Sequence, residues 1–296
     1  MSITLQLATP ASLDEVAEAV AGWQQDGGPV QLHPGDLGWN WSLGAEELAE
    51  AVRVWRRDGQ ILAVGMVDNS GLIRMAIAPS ADRDDAFTVQ LLADLSDPGR
   101  GVLPAGAAAV EARFGAAFRD LLCRSGWAAD EPWTPLCRDL TAPVEDGGLR
   151  VEVIETHNVQ ERVAVQRASF PNSTFTLERW HTMAAAPPYR RARCLVGYDR
   201  HGDAVATVTV WSAGKGDRVC SNRWGSIGVT VATDAAPASP WRRPPRCGRW
   251  GRPARQCAPR AATSAPWRRT PRPASRGSPT SPTSAARADH TGHQQP

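Results

Sequence analysis

No apolar run in the 296-residue chain approaches eighteen residues, which excludes a membrane-spanning helix. Residues 1–11 hold neither a basic start nor an apolar core, so no secretory signal is expected. The six cysteines include no C-x-x-C pair, and neither a disulfide framework nor a zinc site is expected from them. A single lysine, Lys215, stands against 32 arginines. These absences point to a soluble cytoplasmic protein with no metal centre and no membrane partner.

A second set of absences is local. Residues 221–296 contain no Leu, Phe, Met, Tyr or Glu, and they hold 13 Arg, 2 Asp and 12 of the 24 prolines. The balance there is +11, against −9 for residues 1–220, and the near-neutral total of +2 conceals the break. Such a segment buries too little apolar surface to offset its ordering entropy, so the tail reads as disordered.

What remains reads as mixed α/β, with the pattern begun twice. Ser12 and Glu15 have capping-box spacing, and Leu13, Val16, Ala17, Val20 and Trp23 follow at helical intervals. A second helix is expected from Ala45 to about Gly59 through Leu48, Val52 and Trp55. Residues 61–67 and 72–77 form β-rich runs joined by a turn, a helix carries Val110, Phe114, Phe118, Leu121 and Leu122, and residues 133–140 read as a closing strand. After a linker at 142–148 the order restarts. A strand at 149–155 is followed by a helix opened by the Asn158/Glu161 box and by a short helix from Thr176. A hairpin then joins 194–199 to 204–211.

That order of elements resembles the GNAT acyltransferase superfamily, in its tandem two-domain form, over about residues 1–216. The resemblance implies an α/β fold with an α+β mixed sheet in each domain. Residues 1–141 would be a degenerate first domain, 142–148 a linker, 149–216 the first half of a second domain, and 217–296 a disordered basic tail. It also implies acetyl-CoA as co-substrate and an amine of a small molecule or peptide as acceptor. In the family a splayed fourth strand offers a backbone N–H to the thioester oxygen, and an R/Q-x-x-G-x-G/A loop holds the pyrophosphate at a helix N-terminus. This chain has no such loop. Gly214-Lys215-Gly216 does not match it, and the corresponding residues 78–85 of the first half are acidic, with Asp82, Asp84 and Asp85. No catalytic or cofactor-binding residue is therefore assigned.

The missing loop is permitted in a second reading frame. Joining the third base of each codon to the first two of the next allows R-G-H-G-R-G by Ala236, the spacing of R-x-x-G-x-G. The same frame allows N-V-G-A-V-A-T-Y-S-S-A-G-F between Ala258 and Ser275, similar to a later segment of the family. Trp224 must end in G, so the glycine at Gly225 is forced. A frame slip between Trp211 and Val219 accounts for the tail and for its Arg/Pro/Ser-rich composition. The alternative is a non-enzymatic protein whose tail binds nucleic acid non-specifically, because Trp241, Trp250 and Trp267 are interleaved with arginines there.

By the same resemblance Phe170, Phe175, Trp180 and Tyr189 lie where family members place their substrate-side helices and loop and would shape an acceptor pocket, with ordinary core or lid packing as the other open role. Glu178 reads as a cap or solvated charge. His157, His181 and His201 read as surface histidines, and Cys123, Cys137 and Cys194 as structural.

Overall fold

A computed structural model describes residues 2–25, 28–69, 71–130, 143, 146–170, 172–214, 219–221, 227–228 and 267–269. The expected strand at 133–140 lies outside them, as do Cys137, part of the linker and most of the tail.

Among the described residues the first sheet has seven strands, six of them from the first half. β1 (Ile3–Leu7), β2 (Val52–Arg57), β3 (Gln60–Asn69) and β4 (Leu72–Ile77) run antiparallel to one another. β4 then pairs in parallel with β5 (Ala108–Glu111), and β6 (Trp127–Ala129) lies at the far edge. Side-chain alternation along the strands loads both faces of this sheet. Val54, Val64 and Met66 pack under α1 (Leu13–Gly22), α2 (Pro34–Asn40) and α3 (Ala45–Ala51). Trp55, Ile73, Met75 and Ile77 pack under α4 (Asp85–Ser96) and α5 (Ala116–Arg124), where Phe87, Leu91, Phe118 and Leu122 are fully buried. Each such apolar side chain contributes about 1.5–3 kcal/mol by leaving water. The Trp55 indole is satisfied by Asp94 Oδ2 at 3.0 Å.

Several local expectations are corrected. The helix expected to reach Gly59 stops at Ala51, and Val52–Arg57 is a strand. Val52 and Val54 favour extended backbone, and Asp58-Gly59, both at positive φ (50° and 79°), makes the tight hairpin turn to β3. Val110 belongs to β5, not to the helix that begins at Ala116. Neither capping box forms as expected. Ser12 Oγ bonds back to Thr9, and Glu15 pairs with Arg56. Asn158 Oδ1 accepts from Glu155 N, and Glu161 accepts from the Tyr198 hydroxyl. Thr176 does cap its helix, accepting from Arg179 N.

The second half follows the expected order closely: β7 (Arg150–Val153), α6 (Val159–Ser169), α7 (Leu177–Ala185), β8 (Ala192–Tyr198) and β9 (Ala204–Ser212). β7, β8 and β9 form an antiparallel sheet, and short strands β10 (Val219–Ser221) and β11 (Ile227–Gly228) pair with the outer side of β9. Burial alternates along β9 so that Val205, Thr207, Thr209 and Trp211 face inward.

Of the tail, 217–296, the described residues are only β10, β11 and β12 (Trp267–Arg269), the last of which enters the first sheet between β5 and β6, antiparallel to both. Arg268 pairs with Asp130, and Arg269 donates to the carbonyls of Ser96, Pro104 and Gly106. Ladder pairing over three residues uses backbone groups, so a gap between two strands makes few demands on the sequence that fills it.

Candidate functional site

α6 and α7 lie over β8 and β9, and this brings three of the four proposed pocket residues into one aromatic cluster. Trp180 and Tyr189 meet edge to face with centroids 6.3 Å apart, and Tyr189 meets Trp211 in the same way at 5.9 Å. Phe175 stacks on Trp39, which comes from α2 of the first half, at 5.2 Å and 7°. Phe170 is not in the cluster. It is 42% exposed and stands at the mouth of a cavity of about 450 Å³, whose walls include Trp39, Gln166, Phe175 and Arg179. That volume falls in the range of small-molecule pockets. Among the residues lining it there is no carboxylate.

Behind the aromatic wall is a group that sequence reading missed. Arg162 of α6 is fully buried, its guanidinium lies 4.3 Å from the Phe175 ring centroid, and Nη1 and Nη2 have no hydrogen-bond partner. Its Nε donates to Cys194 Sγ at 3.3 Å, which also accepts from Thr209 Oγ1 at 3.3 Å. Cys194 is thus structural, as expected, but as a sulfur acceptor between two donors. Burial, with Cys194 next, raises the Tyr189 phenol above its usual range, so it stays protonated.

The other candidates are dispersed. Glu178 is exposed in the first turn of α7. His157 lies 3.8 Å from Glu155, His181 packs against Trp180, and His201 accepts from Arg200. Cys123 is exposed. Among the described residues no group of three His, Cys, Asp or Glu side chains could hold a metal. Among the described residues no helix is long and apolar enough to cross a membrane.

Acetyl-CoA can be tested against the first sheet, where β4 and β5 are parallel. Their pairing covers only Leu72–Arg74 with Ala109–Glu111, because β5 ends at Glu111 while β4 runs on to Ile77, and this leaves an opening beside β4. The backbone groups of β4 at that opening are already bonded. Leu32 N donates to Met75 O at 3.1 Å, and the Gln31 carboxamide bonds both Ile77 N (2.8 Å) and Ile77 O (3.3 Å). At the N-terminus of α4 the same holds: Asp84 Oδ1 accepts from Phe87 N, Asp84 Oδ2 pairs with Arg57, and Asp82 Oδ1 accepts from Ala116 N. The hydrogen bond from Arg57 holds the Asp84 carboxyl below its usual range, so a negative charge stands where a pyrophosphate would need amides. These residues do not fit the cofactor. The corresponding loop of the second half lies outside the described residues.

No family model matches the chain, and no curated protein matches it. Among solved structures the chain is similar to a GCN5-related N-acetyltransferase from Sphaerobacter thermophilus, at 17% identity over 77% of this chain and 78% of that one, with a TM-score of 0.35. An acetyltransferase of the GNAT family from Colwellia psychrerythraea matches at 12% identity over 71% of each chain, with a TM-score of 0.38. The PaiA N-acetyltransferase from Thermoplasma acidophilum, solved in complex with coenzyme A, matches at 14% identity over 44% of this chain and 92% of that one, with a TM-score of 0.30. Similarities of this size carry no argument about activity, which rests on the residues of this chain.

Proposed function

We propose that the chain derives from a tandem acetyl-CoA-dependent N-acetyltransferase whose reading frame is lost between Trp211 and Val219, and that the chain as written does not turn over acetyl-CoA. One observation carries this reading. The second half runs strand, two helices and hairpin (β7, α6, α7, β8–β9) where the first half opens with strand, three helices and hairpin (β1, α1–α3, β2–β3), and this likeness of order, which ends after Ser212, supports the reading. In the first half the next elements are β4, α4, β5, α5 and β6; in the second, the described residues beyond Ser212 provide only three short strands. The acceptor is an amine of a small molecule or peptide, held at the cavity between α6, α7 and Trp39. No acid, base or oxyanion donor of the reaction is assigned to a residue of this chain.

The test has two parts. The coding DNA across codons 211–219 is sequenced from a fresh isolate, and both the written and the frame-restored proteins are assayed for thiol release from acetyl-CoA with a panel of amines. The reading expects release from the restored protein alone. A restored protein that binds no coenzyme A, or DNA that allows no R-x-x-G-x-G loop, overturns it. At Arg268 and Arg269 the nucleic-acid alternative has to compete with the Asp130 carboxylate and with the Ser96 and Pro104 carbonyls, which already hold these exposed guanidinium groups.

A further inference from the structure

We infer that the opening beside β4 is a socket occupied by the chain's own residues 30–32, and that this closure is what presents α2 to the second half. The β5 ladder ends at the Arg74–Glu111 pair, so Met75 O and both backbone groups of Ile77 on that side lie beyond it and would be open to a ligand. A ligand carrying an amide would bond Ile77 through one N–H and one C=O. The Gln31 side chain is a primary amide, is 5% exposed, and makes both of those bonds. The segment is fixed from every side. Val30 O accepts from Arg113 Nη1 at 3.2 Å, and Leu32 O accepts from Gln24 Nε2 at 3.0 Å, whose donor group also reaches Val20 O on α1.

The closure leads directly into α2. His33 follows Leu32, and its Nδ1 accepts from Gly35 N, while Asp36 of the first turn bonds His33 N. Asp36 also takes both terminal nitrogens of Arg74, the β4 residue at which the β5 ladder ends. α2 is therefore anchored to the strand whose opening its own leader fills. Its other surface carries Gly35 and Gly38 against Trp211, and Trp39 against Phe175. A sheet opening that would otherwise take a diffusible amide has become the mount for a docking helix. Only the identity of the displaced ligand, coenzyme A, rests on the acetyltransferase reading.

The experiment is hydrogen exchange by mass spectrometry on the full chain, with and without coenzyme A, for wild type, Gln31→Ala and Gln31→Glu. In wild type, peptides covering 72–85 should be strongly protected and unchanged by coenzyme A. Gln31→Ala should speed exchange at 75–77 tenfold or more, and should also speed exchange at 205–212, where β9 meets α2. Gln31→Glu, which loses the donor to Ile77 O, should do the same. Coenzyme A protecting 72–85 in wild type overturns the socket. Variants that loosen 75–77 but leave 205–212 unchanged overturn the mounting role, and variants that leave both unchanged overturn the whole inference. If the variants do not fold, the wild-type comparison still decides the socket. Failure of the acetyltransferase reading would appear elsewhere, as absence of thiol release from the frame-restored chain.

Discussion

A β-carbon placed on Gly38 would lie 2.3 Å from Trp211 Cζ3 and 2.6 Å from Cη2, so the indole from the second sheet rests on the bare backbone of α2. Gly35, one turn earlier, meets the same indole at its Cγ, 2.6 Å from a built β-carbon. Two glycines on one helical face let a tryptophan come as close as another backbone would, and the two halves meet there.

Gly38→Ala should therefore destabilise the protein, although alanine is the better helix former by about 1 kcal/mol. Overpacking of this kind costs about 1–3 kcal/mol, which urea unfolding should register as a lower midpoint. Gly22→Ala is the control. It lies at the end of α1 with nothing within 4 Å of its built β-carbon, and should be neutral or slightly stabilising.

His33 sets an acid limit on stability. Burial first, with Arg74 acting in the same direction and Asp36 against it, lowers its imidazole from 6.5 to about 4. Above pH 6.5 the ring is neutral whether the chain is folded or not. Below that, the unfolded chain takes up a proton that the folded one refuses until about pH 4, so stability falls across the window as pH falls. The slope has a ceiling of about 1.4 kcal/mol per pH unit. His33→Asn keeps an acceptor for the helix cap and should flatten the dependence of the urea midpoint on pH between those limits.

Two buried arginines should respond to removal with opposite signs. Arg74 is held by Asp36 at 2.9 Å and by Glu111 at 3.0 Å, all three largely buried. Arg74→Met leaves the buried Asp36 carboxylate without its cation and Glu111 with Arg113 alone, and should cost about 3–5 kcal/mol, read as a fall in Tm.

Arg162 has no such partner. Its charge is buried against Phe175 and Trp39 with two terminal nitrogens unbonded. Arg162→Met keeps much of the volume and removes the uncompensated charge, so Tm should stay level or rise, by analogy with buried ionic groups whose replacement stabilises by about 1–4 kcal/mol. A clear fall in Tm would mean that the guanidinium contributes through its aromatic contacts more than it loses by burial.

Legibility in the sequence followed locality. The hairpins β3–β4 and β8–β9 were readable because each combines alternating β-branched runs with a polar turn. β2 was not, because Leu48, Val52 and Trp55 happen to fall at helical intervals across the α3–β2 junction. α2 was hidden by Pro34, Gly35 and Gly38, residues that argue against a helix until Trp211 is seen lying on them. At the candidate site, Phe175, Trp180 and Tyr189 were singled out by the resemblance, and the structure gathers them in one aromatic cluster. Trp39, Arg162 and Gln31 were not, because each matters through a partner far along the chain: Phe175, Cys194 and Ile77.

β12 has a consequence for the order in which the molecule can be assembled. Trp267 pairs with Val110 and Ala129, and the first of these lies more than half the chain away. Synthesis proceeds from the N-terminus, so β5 and β6 emerge long before the strand that joins them. Until it arrives, two neighbouring edges present unpaired amides and carbonyls to any other nascent chain. A protein whose first sheet is completed by a strand made so long after its neighbours is exposed to mispairing throughout that interval.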